Sequence, residues 1–169
     1  MSLRDQLRGR SLPTEVVRLP TDPGEYSRRD RALSAARWAL DEARASGRPD
    51  TAGLRARIAD AQAALDACPV FEVTLRTLPP PEWEALVELH PATEEQQARG
   101  MQWSAATFRP ALLAACVVPP EDEPEPLTAE YWERVVKDGE LAAGEYNTLC
   151  NAAVQLNLRA PLSAVGKES

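Results

Sequence analysis

The sequence predicts a mainly α protein of the α+β kind, with an αα-hairpin, a small two-stranded β element and a C-terminal cluster of short helices. Apolar residues recur at spacings of three and four in most segments, the period of an amphipathic helix. Only two short runs, residues 14–19 and 71–76, have the composition or the alternation of a strand. Fifteen prolines against eight glycines cut the 169 residues into short helical lengths.

Residues 1–26 contain Pro13, Pro20, Pro23 and Gly24 and are expected to form an irregular arm around the strand Thr14–Leu19. Residues 27–68 predict a helical hairpin. Ser27 and Asp30 resemble a capping box, and Leu33, Ala36, Leu40 and Ala43 form one stripe. Gly47 closes that helix and Pro49 cannot continue it. Asp50 or Thr51 caps the second, where Leu54, Ile58, Ala61 and Leu65 repeat.

Residues 69–118 predict a strand followed by the remaining core helices. Pro69 stops the hairpin, and Phe71, Val73 and Leu75 then alternate with Glu72, Thr74 and Arg76. Pro79–Pro81 opens a helix with Trp83, Leu86, Val87 and Leu89 on its apolar side, ending at His90 before Pro91. Residues 92–103 read as a polar loop. Ser104 or Thr107 then caps a helix carrying Phe108, Leu112, Leu113 and Cys116.

Residues 119–126, four prolines and four acids, predict a solvated connector that buries nothing. Residues 127–160 predict a helix pair. Thr128 caps the first, with Tyr131, Trp132, Val135 and Val136 before Gly139; the second, Gly144 to Leu158, carries Tyr146, Leu149, Cys150, Ala153, Val154 and Leu156. Pro161 breaks it, and 161–169 reads as a polar tail.

Composition narrows the function classes. The net charge of -7 opposes nonspecific binding to nucleic acid or an anionic membrane, although residues 1–48 carry ten Arg against seven acids. Arg4, Arg8, Arg10 and Arg18 lack interleaved aromatics, so no nucleic-acid partner is expected. No apolar run reaches 18 residues, and the charged start of the chain lacks a signal-peptide core, so the expected location is the cytoplasm. Lys137 and Lys167 are the only lysines, a bias read as the mark of a GC-rich genome.

Catalytic signatures are weak. His90 is the sole histidine, and Gly9-Arg10-Ser11-Leu12-Pro13 matches only the first half of a nucleophile elbow. A zinc site or thiol centre has only Cys68, Cys116, Cys150 and His90 to draw on, each cysteine in an apolar context suited to core packing. Glu94-Glu95 and Asp122-Glu123 read as solvated loop, and no P-loop or GxGxxG is present. No enzyme, cofactor or metal is therefore expected. Trp83, Trp103, Trp132 and Tyr146 read as core anchors or a protein-binding surface. The residues selected for partner binding are Leu54, Ile58, Leu65, Trp83, Trp132 and Tyr146.

The order of these segments carries a resemblance. A helical hairpin precedes Phe71-Glu-Val-Thr-Leu-Arg; Pro81-Glu-Trp-Glu-Ala-Leu-Val-Glu-Leu-His-Pro91 and Phe108-Arg-Pro-Ala-Leu-Leu-Ala-Ala-Cys116 follow. Then come Leu127-Thr-Ala-Glu and Gly144-Glu-Tyr-Asn-Thr-Leu-Cys-Asn-Ala-Ala-Val-Gln-Leu-Asn157. Over residues 15–165 the chain resembles a tail assembly chaperone of actinobacterial siphophages and prophages, although 119–126 is longer than that resemblance implies.

The resemblance implies a small, helical, non-enzymatic viral protein that binds the tape measure protein, keeps it soluble and helps recruit tail tube protein. It would act in the host cell cytoplasm, self-associate weakly along its partner and be absent from the mature virion. It also implies a longer product made by programmed frameshift, for which Val165-Gly166-Lys167 encoded GTG-GGA-AAG offers a slip site. A generic cytoplasmic protein-binding adaptor or regulatory module is the alternative, and a thiol or metal-dependent enzyme a remoter one.

Overall fold

The structure, a computed structural model, describes residues 2–8, 10–47 and 51–159. The protein is mainly α with a small two-stranded antiparallel sheet. In chain order the elements are α1 (Leu3–Arg8), β1 (Thr14–Pro20), α2 (Pro23–Ala45), α3 (Ala52–Asp66), β2 (Val70–Arg76), α4 (Pro80–Leu89), α5 (Glu94–Ala98), α6 (Ala105–Cys116), α7 (Ala129–Lys137) and α8 (Ala143–Leu158). Pro49, Asp50, Pro161, the tail 161–169 and Val165–Lys167 fall outside the described residues.

The chain divides into two units, residues 18–72 and residues 1–17 with 73–169. In the first, α2 carries Leu33, Ala36, Leu40 and Ala43 buried on one stripe, as its spacing predicts. Helix α3 packs against α2 and returns antiparallel, because Arg29 near the start of α2 donates to the Ala64 carbonyl near the end of α3. Arg37 adds a bond to Gln62 at 3.0 Å.

Helix α2 is capped by Asp22, five residues before the expected Ser27. Asp22 accepts from the Glu25 N–H at 2.9 Å, and Pro23 occupies the first turn, where a missing N–H costs nothing. Pro23, expected within an irregular arm, therefore sits at a helix start. A second correction lies further upstream, where α1 is capped by reciprocal bonds between Ser2 and Asp5.

Strands β1 and β2 occupy the two segments expected. The Thr77 N–H donates to the Pro13 carbonyl at one end and the Thr21 N–H to the Pro69 carbonyl at the other, setting Val17 opposite Val73 and Arg18 opposite Glu72. Arg18 and Glu72 pair at 2.9 Å across the solvated face, a contact worth less than about 1 kcal/mol. Phe71, expected on the covered face, is exposed at the strand's start, whereas Leu75 near its end is fully buried.

In the second unit, α6 is the central element, with Phe108, Leu112, Leu113 and Cys116 inaccessible to solvent. It packs against α4, α7 and α8. After α6 the chain runs briefly antiparallel beside β2: Leu75 bridges Val117, and the Val118 N–H donates to the Thr74 carbonyl at 2.8 Å. Residues 119–126 are exposed and form no helix or strand.

Between Pro91 and Trp103, which bridge each other, the expected polar loop holds α5, started by a capping box of Thr93 and Gln96. Helix α4 is less buried than its sequence predicts, since Leu89 is 75% exposed. Gly139 ends α7 with φ +75°, while its N–H reaches the Val136 carbonyl and that of Glu140 the Val135 carbonyl, a Schellman closure that glycine favours. Among the described residues, no helix is long and apolar enough to cross a membrane.

Candidate functional site

The sole histidine, His90, caps the C-terminus of α4 and meets Phe108 edge-on, with ring centroids 6.3 Å apart. Ser11 of the half-matched serine motif is exposed, and Gly9 lies outside the described residues. All three thiols are buried. Burial pushes the Cys116 thiol up despite a contact from the Asn157 side-chain nitrogen at 3.5 Å. Burial likewise raises Cys150 to about 11, so both stay protonated near neutral pH, unlike a thiolate nucleophile.

The Tyr146 hydroxyl is also pushed well up, chiefly by burial and then by neighbouring Cys150. Among the described residues no three His, Cys, Asp or Glu side chains gather to hold a metal ion, and no polar or charged residue is buried.

The residues selected for partner binding differ in exposure, and two of them, Leu65 and Trp132, are buried. Leu54 and Ile58 are half-buried on α3, and Leu65 is buried at the end of the same helix. Trp83 is half-buried and meets Trp103 and Phe108 edge-on at 6.0 and 5.7 Å, while Trp103 stacks on Phe108 at 4.6 Å. That is a packed aromatic cluster. Trp132 is a core residue of α7, its indole N–H buried with no partner among the described residues and its ring against Tyr131.

Tyr146 differs, because it lines an open groove. One wall is Ala105, Ala106, Arg109 and Pro110 of α6; the other is Glu133, Val136 and Lys137 of α7, with Tyr146 of α8 at one side. Its volume is about 430 Å³, within the range of ligand-sized clefts. Pro110 supplies no N–H to the Ala106 carbonyl, so the helical bonding of this wall is interrupted. The Arg109 guanidinium is held by the Asn147 side-chain carbonyl at 2.9 Å.

Ala105, Ala106 and Pro110 give the groove a small apolar lining beside Val136, which is 38% exposed, and the same lining carries two cations and one carboxylate. Such a surface can accept the apolar face of a helix and pair charges along its edges. Sequence reasoning selected Tyr146 here and missed Arg109, Val136 and Lys137. The Val135-Val136 doublet was a signal, since adjacent helical residues lie 100° apart and only Val135 is in the core. Compared with protein-family models, curated proteins and solved structures, the chain matches none.

Proposed function

We propose that this chain is a noncatalytic tail assembly chaperone that seats an amphipathic helical segment of the tape measure protein in the groove between α6 and α7. It keeps that segment soluble in the host cytoplasm, helps recruit tail tube subunits and leaves before the virion is complete. The groove supports this reading most directly, because its apolar lining and its cations Arg109 and Lys137 complement a helix with an apolar stripe and an acidic flank. Residues 73–159 also carry fourteen carboxylates against six cations, a surface that keeps a complex with an apolar partner dispersed.

Coexpression with tape-measure fragments tests the proposal. The wild-type chain should raise the soluble fraction of the fragment and copurify with it. Val136→Asp, at an exposed position, should lose both effects while keeping its thermal unfolding profile. If the wild type leaves the fragment insoluble, the chaperone reading fails; if Val136→Asp works as well as wild type, the groove is not the site.

A further inference from the structure

We infer that the outer face of α2 is a self-association surface, on which a second copy of this chain docks antiparallel. The inference does not rest on the chaperone reading. Trp38 is 68% exposed, the most exposed tryptophan among the described residues. At 100° per residue it lies opposite the stripe of Leu33, Ala36, Leu40 and Ala43 that faces inward. Arg31, Ala35 and Glu42 share its side of the helix, and all are exposed.

Charges on this face are arranged to pair with a reversed copy. Among the described residues the Arg31 guanidinium meets only the Ser27 carbonyl, at 3.2 Å, and Glu42 has no ion-pair partner. Elsewhere on α2 the cations Arg28, Arg29 and Arg44 do pair with neighbouring carboxylates. Glu42 follows Arg31 by three turns, a rise of about 16 Å.

A two-fold axis crossing α2 between Ala36 and Arg37 sets each Arg31 opposite Glu42 of the second copy. The same axis places each Trp38 over Ala35 of the other helix, where a methyl side chain leaves room for the indole. A single helix cannot make the Arg31 to Glu42 pair internally, because three turns separate the two. The symmetric interface forms it twice, with both tryptophans removed from water.

One helix face per copy places the contact among small interfaces, so the dissociation constant should be on the order of 10 µM. Sedimentation equilibrium of the full chain over concentrations spanning that value should show a monomer–dimer equilibrium. Trp38→Ala should abolish it. Arg31→Glu and Glu42→Arg should each weaken it roughly 10- to 30-fold, since every substitution acts at two symmetric positions.

The double variant carrying both reversals should return to within about threefold of wild type, because the pair is restored with its signs exchanged. All three positions are exposed, so the variants should keep the wild-type unfolding profile. A chain monomeric throughout that range would overturn the inference. So would a dimer indifferent to Trp38→Ala, or a double reversal no tighter than the single ones.

Discussion

Replacing Trp132 by Phe should cost almost nothing, which is unusual for a tryptophan that is only 6% exposed. Its indole N–H is buried with no acceptor among the described residues, and such an orphaned donor costs about 1–3 kcal/mol. Phenylalanine removes that group. Against the gain stands a void of about 40 Å³, which at ~24 cal/mol per Å³ costs roughly 1 kcal/mol, plus about 1 kcal/mol of lost apolar burial. These nearly cancel, so the change in unfolding free energy should stay within about 1 kcal/mol, whereas Trp132→Ala should cost about 3–5 kcal/mol. Urea unfolding followed by far-ultraviolet circular dichroism measures both without relying on the fluorescence of the deleted indole. A cost of about 3 kcal/mol or more for Trp132→Phe would show that the N–H is satisfied and would refute the reasoning.

Other expectations concern half-buried Asn157 and the buried thiols. Asn157 accepts from the Leu78 N–H and donates to the Ala153 carbonyl, both at 2.8 Å, so Asn157→Ala should cost about 2–3 kcal/mol in thermal or urea unfolding; a loss under about 0.5 kcal/mol would contradict this. A thiol reagent at pH 8 should find no fast-reacting cysteine in the folded chain and three after denaturation, since Cys68, Cys116 and Cys150 are all buried. Stability should fall with rising pH above about 9: the unfolded Cys releases its proton near 8.5, but folded Cys150 holds its proton until about 11. Cys150→Ala should flatten that alkaline slope, and an unchanged slope would assign it to other groups. For the proposed frameshift, the codons of Val165–Lys167 should read GTG-GGA-AAG; GGC or GGT at Gly166 removes this slip site.

The longest periodic segments were the most legible. Leu33, Ala36, Leu40 and Ala43 fall on one side of a helix of about six turns, and Phe108, Leu112, Leu113 and Cys116 do so in α6. Both strands were legible because so few other runs alternate. Short elements escaped for a physical reason, since α1 and α5 span less than two turns and show no period. Their caps, Ser2 with Asp5 and Thr93 with Gln96, were nevertheless written in the sequence.

Leu89 was misplaced because it follows Val87 by 200° and so leaves the stripe that Leu86 and Val87 share. The groove was legible only through Tyr146. Its two walls lie on either side of residues 119–126, and the packing of α6 against α7 across that connector leaves no periodic trace. Trp38 could have been found from the wheel of α2 alone, where an aromatic opposite a completed apolar stripe has nothing of its own helix pair to cover it.

Calorimetric titration of the purified chain with helical peptides from the tape measure protein, apolar on one face and acidic on its flank, tests the central claim most directly. The expected result is saturable binding with a negative heat-capacity change, weakened at least about tenfold by Val136→Asp and left unchanged by Trp38→Ala. No binding by the wild-type chain, or equal binding by Val136→Asp, would contradict it.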